Sequence, residues 1–416
     1  MAIIRLSVFE EGVFAPEMDG TLDTREFSAN RGVGRRGTGF LGRLDKPALA
    51  SEDDHLVRYL SRSLEREASA LPDGAPIVLL VHGWDFDPAV AHISPPKHRK
   101  ATNPHSRLYH FVASGDSDSD TTQSQETEMR HHSTSWPLGL GIEADDAGAS
   151  GLAIAFGWDS APSWLSSLVS HGLNPYARAY DLAEPAAWHL VAVMEALSAL
   201  LPGRPIDIFC HSLGSRVVVR AIAQAADWPM PEDDRPRLER TVASIGRVLL
   251  LAGAERVMEA QLMMRRLNKT TAGLVPDDTR SNTVFPKIPE FYNLVSREND
   301  VLDKLGENFG PADAGPKQVI GHNGLEQIDP AWLDIQLDNP EVADWFAKPE
   351  RGFVVSGDNR GVFAVLDHWI HFTWRGNMHL YRAILRDRGD WRVADMRQSG
   401  PDPFRRANIQ RGWFGD

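Results

Sequence analysis

Ile206-Asp207-Ile208-Phe209-Cys210-His211-Ser212-Leu213-Gly214 is the stretch that decides the architecture. Ile206 to Cys210 is an apolar run of strand length, and Leu213 to Ala226, directly behind it, reads as a helix. The same kind of run recurs at Pro76 to Val81, Gly151 to Phe156, Arg247 to Ala252 and Phe291 to Val295. Runs with so little alternation suit parallel strands buried on both faces. Helical spacing lies between them. Leu190, Met194, Leu197 and Leu201 share one face of Trp188 to Leu201, and Ala254 to Leu267 also reads as a helix. Strands alternating with helices predict an α/β fold: a mostly parallel, doubly wound central sheet with helices on both faces.

Working outward, Ala2 to Phe9 reads as a further strand at a sheet edge, and Leu56, Leu60 and Leu64 mark an amphipathic helix within Glu52 to Ser69. Gly32-Val33-Gly34-Arg35-Arg36-Gly37 matches the spacing of a dinucleotide fingerprint. It lacks the preceding strand and the following helix, so it is a glycine-rich loop. A chain of 416 residues allows two or three domains at roughly 150 residues each, but large α/β units often run longer. The expected division is an N-terminal strand, loop and helix over 1–74, an α/β domain over 75–387 and a tail over 388–416 that packs back on the surface. Residues 85–150 break the alternation. They hold six of the 15 histidines and the polar run Ser114-Gly115-Asp116-Ser117-Asp118-Ser119-Asp120. An insertion of this length is usually a lid, a binding loop or a disordered segment.

Forty-four basic against 57 acidic residues give a net charge of -13, a surface that repels phosphate backbones, so nucleic acid is not expected as a partner. Cys210 is the single cysteine, so no disulfide forms within the chain. Met1 to Glu10 lacks the basic start and the apolar core of about 7–15 residues that mark a secretory signal. No apolar stretch approaches the ~20 residues of a membrane span. The expectation is a soluble, cytoplasmic protein; the sequence leaves its oligomeric state open.

Cys210-His211-Ser212-Leu213-Gly214, between a buried strand and a helix, is the setting of a nucleophile elbow, where a sharp turn lifts a serine clear of the sheet. Cys210 stands where the first glycine of G-x-S-x-G belongs. Taken alone, Ser212 could equally be an ordinary helix cap. His82-Gly83-Trp84 ends the earlier strand, where backbone N–H groups would face a developing oxyanion, so the N–H groups of Trp84 and Leu213 are the candidate oxyanion hole. His82, Trp158 and His211, beside these turns, are candidate substrate contacts.

A serine nucleophile needs a base, and the base an orienting acid, in the chain order Ser, acid, His. Asp300, after the strand through Val295, is the expected acid, with Glu298, Asp303 and Glu255 in reserve. Of the later histidines, His368 is the expected base and His322 its main rival. His371 reads as a packed histidine, and His379 falls within a helix over Asn377 to Leu385.

These motifs resemble the α/β-hydrolase superfamily, in particular a bacterial branch of lipase-like and esterase-like serine hydrolases. The resemblance covers roughly Ala75 to Leu385 without 85–150. Phe156-Gly157-Trp158-Asp159-Ser160 is similar to that branch's aromatic-Trp-Pro-Ser element, with Asp159 in the place of proline, and Tyr180-Asp181 with the following helix is similar too. By this resemblance Ser212 matches the nucleophile, Asp300 the acid and His368 the base. The interval between the last two calls for a second insertion, at about 308–361.

The implied activity is hydrolysis of a small-molecule carboxylic ester through an acyl-serine, with no metal or organic cofactor. An acyltransferase or thioesterase on the same residues, and a non-catalytic binding protein retaining the scaffold, are the alternatives. Trp84, Trp158, Trp164 and Leu165 suggest an apolar pocket or, equally, core. His131-His132 matches no standard metal spacing.

Overall fold

A five-residue strand such as Ile77–Val81 can be wholly apolar because both faces of its sheet are covered, and each of its side chains is buried. The computed structural model describes residues 3–9, 12–14, 60–65, 71–84, 86, 135–142, 144–145, 148–160, 175–226, 235–272, 288–297, 299, 302, 319–357 and 364–406. The strands are β1 (Ile3–Phe9), β2 (Gly12–Phe14), β3 (Ile77–Val81), β4 (Ala144–Asp145), β5 (Gly148–Ala149), β6 (Leu152–Trp158), β7 (Ile206–His211), β8 (Ile245–Leu251), β9 (Glu290–Val295) and β10 (Trp332–Gln336). The helices are α1 (Trp136–Gly139), α2 (Pro175–Leu200), α3 (Leu213–Ala226), α4 (Arg235–Ser244), α5 (Val257–Ala272), α6 (Ile320–Asn323), α7 (Pro340–Ala347), α8 (Ala364–Thr373), α9 (Arg375–Arg386) and α10 (Val393–Ser399).

Eight strands form one sheet in the order β10-β9-β8-β7-β3-β6-β1-β2. Seven run parallel, and short β2 pairs antiparallel with β1. Side chains alternate between two cores. Ile77, Leu79 and Val81 of β3 join Met194, Val217 and Met263 from α2, α3 and α5 on one face. Val78 and Leu80 join Trp136, Trp345, Phe372 and Tyr381 from α1, α7, α8 and α9 on the other. The class is α/β, and no described helix is long and apolar enough to cross a membrane. Because β3 lies between β6 and β7, the chain leaves β3 to one side and then returns to the other. A crevice outside the carboxyl ends of β3 and β7 follows from that reversal.

Four sequence expectations change. β1 is not the edge strand, because β2 covers its open side. The stretch expected as a second insertion contains β10, which pairs with β9 through Trp332↔Phe291 to Gln336↔Val295. Within 85–150, Trp136, Leu140 and Ile142 are buried in the second core, so its last residues are sheet cover rather than insertion. The tail is likewise core: Trp391, Val393, Met396 and Phe404 are all buried there. Trp413, Phe414 and Gly32 to Gly37 lie outside the described residues.

Buried charges hold that tail at the amino ends of the central strands. The guanidinium of Arg247 on β8 donates to Glu290 at 3.2 Å, to the Arg388 carbonyl at 2.8 Å and to the Ile384 carbonyl. Asp207 on β7 accepts from the Arg247 N–H at 2.8 Å and pairs with Arg388. Burial raises the Asp207 carboxyl above its usual range, while the Arg388 and Arg247 contacts act against that shift. Arg247→Met keeps the volume but leaves Glu290 without its buried cation; Arg392, 4.0 Å away and more than half exposed, is a poor substitute. A loss of about 3–5 kcal/mol is expected in urea unfolding of this variant.

Candidate functional site

At the end of β7 the chain must reverse into α3 within one residue, and Ser212 makes the turn with φ 53°. The left-handed region costs a non-glycine residue about 1–2 kcal/mol, so neighbours must hold it. They do so through the backbone: Ser212 N–H donates to Leu251 O at 2.9 Å, and Ser212 O accepts from Ser215 and Ala254, each at 3.0 Å. Gly214 permits the turn. A Cβ there would stand 2.4 Å from Val81 O and 2.5 Å from His82 O, so α3 abuts the end of β3 directly. Leu213 opens α3, and its N–H therefore has no carbonyl one turn back within the helix. Strained backbone of this kind gathers at functional sites, and here it brings the Ser212 turn beside His82-Gly83-Trp84.

That second turn is braced by the end of β6. Trp158 N–H donates to His82 Nε2 at 2.9 Å, His82 Nδ1–H donates to Gly83 O at 2.7 Å, and Trp158 Nε1–H donates to His82 O at 2.9 Å. With one ring nitrogen accepting and the other donating, His82 is a neutral imidazole of fixed tautomer. Its ring stacks on Phe86 at 3.9 Å and on Trp158 at 5.7 Å between centroids. Ser160 completes the brace: its hydroxyl donates to Gly83 O at 2.8 Å and accepts from Phe86 N–H at 3.1 Å. Asp159 faces Arg178 at 3.7 Å.

The expected substrate contacts change role. His82 and His211 are 0% exposed and Trp158 1%, with polar atoms engaged inside the protein, so they shape the two turns rather than line a surface. Trp84 is half-buried and packs against the first core. His211 Nε2–H donates to His368 O at 3.0 Å, and the two rings stand 4.5 Å apart. That contact brings α8 and His368 against the residue preceding Ser212.

His368 is buried, and its Nδ1 lies 3.1 Å from the Asn299 carboxamide nitrogen. Asn299 therefore occupies the position at which an orienting acid was expected. Asp300, Glu298 and Asp303 lie outside the described residues, as do Trp164, Leu165, His131 and His132. Sequence chemistry favoured the carboxylate of the Asn299-Asp300 pair and gave no sign that the Asn299 carboxamide stands at the ring. Glu255, another reserve acid, is not available: it is buried against Arg216 at 3.1 Å and Arg220 at 3.3 Å.

The rival histidines sit elsewhere. His322 on α6 has Nδ1 3.4 Å from the Arg297 guanidinium, a cation where a general base needs an anion. His371 is fully buried, neither ring nitrogen has a hydrogen-bond partner among the described residues, and burial lowers its pKa to about 3. His379 is exposed beside Arg375. Cys210 is buried below the turn, with Sγ 3.5 Å from Ser215 Oγ; burial pushes its thiol up to about 12, against the lowering effect of that contact.

No known family pattern matches the chain, and no curated protein and no solved structure is similar to it.

Two predictions follow from this geometry. In Gly214→Ala the added methyl meets two backbone carbonyls that cannot rotate away, so a loss of about 3 kcal/mol, the upper end for overpacking, is expected in thermal unfolding. Cys210, held as a buried thiol, is expected to resist iodoacetamide in the folded protein and to alkylate fully in urea, as read by intact mass.

Proposed function

We propose that this chain is a serine hydrolase of the α/β-hydrolase type, cleaving carboxylic esters in the manner of an esterase or lipase, with Ser212 as the nucleophile. The observation that carries the reading is the left-handed Ser212 between a buried parallel strand and a helix whose first N–H has no carbonyl one turn back within it. Strand order supports it. Ser212 follows β7, next to β3 with its candidate oxyanion turn; Asn299 and Asp300 follow β9; His368 follows β10.

In this scheme Ser212 Oγ attacks the ester carbonyl while His368 takes its proton. The N–H groups of Leu213 and Trp84 receive the oxyanion, where removing one donor typically costs ~10²–10³ in rate. The C–O bond to the alcohol breaks, and the proton held by His368 leaves with the alcohol oxygen. Water then adds to the acyl-serine with His368 again accepting a proton, which releases the acid and restores Ser212. The scheme draws on side chains and backbone alone. A non-catalytic binding role is the second reading, favoured by one observation: the Ser212 hydroxyl has no hydrogen-bond partner among the described residues.

A fluorophosphonate probe distinguishes them. Mass spectrometry is expected to place the label on Ser212, with none in Ser212→Ala, and His368→Ala is expected to slow labelling by ~10² or more. His322→Ala is expected to label at the wild-type rate. A folded wild-type protein that takes no label favours the binding role instead.

A further inference from the structure

Two N–H groups converge on the Ser212 carbonyl, one from each side of the turn. Ser215 on α3 and Ala254 on the loop after β8 donate to it, each at 3.0 Å. A backbone carbonyl offers two lone pairs, so both are engaged. The Ser212–Leu213 peptide is planar and trans, which sets its N–H opposite its C=O. Holding the carbonyl therefore aims the Leu213 N–H, the candidate oxyanion donor. That aim is only as firm as the placement of Ala254 against α3.

Buried charge makes that placement. Arg216 lies in the first turn of α3, where the helix dipole disfavours a cation and no acid shares the turn. Its counter-charge comes from Glu255, the residue after Ala254. The Arg216 guanidinium donates to Glu255 Oε1 at 3.1 Å and to Oε2 at 3.2 Å. The carboxylate side chain is 0% exposed. It also accepts from Arg256 N–H at 2.8 Å, and Arg220 stands 3.3 Å from Oε2. Arg216 is fixed on its other side by α2, donating to Tyr180 O at 2.9 Å and lying 3.5 Å above the Tyr180 ring. Arg220 has acids besides Glu255, with Glu184 at 3.6 Å and Glu259 at 3.1 Å. We propose that Arg216 and Glu255 are positioning residues whose ion pair clamps loop 253–256 to α3 and so aims the Leu213 N–H at the forming oxyanion. The catalytic consequence rests on the serine-hydrolase reading; the clamp itself does not.

The clamp can be read without any activity. Full-length protein carrying ¹³C-carbonyl serine and ¹⁵N-leucine gives ¹³C–¹⁵N-coupled signals only from Ser-Leu pairs, which stand at 63–64, 167–168 and 212–213. The signal lost in Ser212→Ala belongs to Ser212–Leu213, and its ¹³C shift follows hydrogen bonding at the Ser212 carbonyl. The variant Arg216→Met/Glu255→Leu removes both charges together, so neither is left buried and unpaired against the other. In it the Ser212 carbonyl resonance is expected to move upfield as the Ala254 bond weakens. The maximal rate of fluorophosphonate labelling is expected to fall roughly tenfold with the half-saturating probe concentration unchanged, less than the ~10²–10³ of losing a donor outright. Arg247→Met, which lowers stability at the amino edge, is expected to leave the resonance and the rate as in wild type while folded. Should the double variant fail to fold, Glu255→Gln, which keeps the volume and loses the charge, must still move the resonance upfield. An unmoved resonance in the folded variant, an equal move in Arg247→Met, or a moved resonance with an unchanged labelling rate overturns the proposal. A resonance that moves as stated in a protein that never takes the label upholds the clamp and removes the hydrolase reading.

Discussion

One backbone turn organises the carboxyl edge of the sheet. Ser212 in the left-handed region is held by three backbone hydrogen bonds, to Leu251, Ser215 and Ala254, so β7, β8 and α3 meet at a single residue. Their combined contribution of a few kcal/mol offsets the ~1–2 kcal/mol of strain. The same turn demands the bare Gly214, because α3 starts within van der Waals contact of the last carbonyls of β3. The neighbouring loop follows suit: Ala252 at the end of β8 turns with φ 45°, and Gly321 on α6 packs so closely that a Cβ would stand 2.3 Å from Gly253 N.

The opposite edge of the sheet has a different job. Asp207, Arg247 and Glu290 lie toward the amino ends of β7, β8 and β9, and their charges are matched by one another and by segment 384–393. Tyr292 adds its hydroxyl to Glu290 at 3.0 Å. Buried charge of this kind contributes specificity of docking more than net stability, since desolvation offsets much of the attraction. Here it fixes how the last helices close over the second core. The left-handed turns at Ser212 and Ala252 thus lie at the carboxyl edge, and the Arg247–Glu290 and Asp207–Arg388 pairs at the amino edge.

The sequence shows the first of these edges far better than the second. Val78, Leu80, Ile208, Leu249 and Leu294 sit in runs that only a doubly covered strand explains, so the sheet and its class were legible. β10 was not, because Trp332-Leu333-Asp334-Ile335-Gln336 alternates with polar residues. Asp334 is half-buried nonetheless, accepting from Asn293 at 2.8 Å, Trp332 Nε1 at 2.7 Å and Leu325 N–H at 3.0 Å. A carboxylate satisfied by three donors looks, in sequence, like a surface position. The tail misled for the same reason: Arg388 and Arg397 are charges with interior partners. At the candidate site the Ser212 turn was readable from local chemistry. That Asn299 stands beside His368 was not, since the direction of a turn residue is set by tertiary packing.

Among the described residues, His82, His211, His322 and His368 are buried and hydrogen-bonded toward the carboxyl edge, and their partners separate their roles. His82 has both ring nitrogens bonded to backbone, which fixes its tautomer and makes it a strut between β3 and β6. His211 donates to the His368 carbonyl and so ties α8 to the turn. His322 faces a guanidinium. His368 differs because its Nδ1 partner is a carboxamide, a group able to donate or accept by turning over. A general base needs one ring nitrogen free to accept a proton while the other is held by its partner. Of the four, His368 alone is described with a carboxamide at a ring nitrogen, where His82 meets backbone, His211 a carbonyl and His322 a guanidinium.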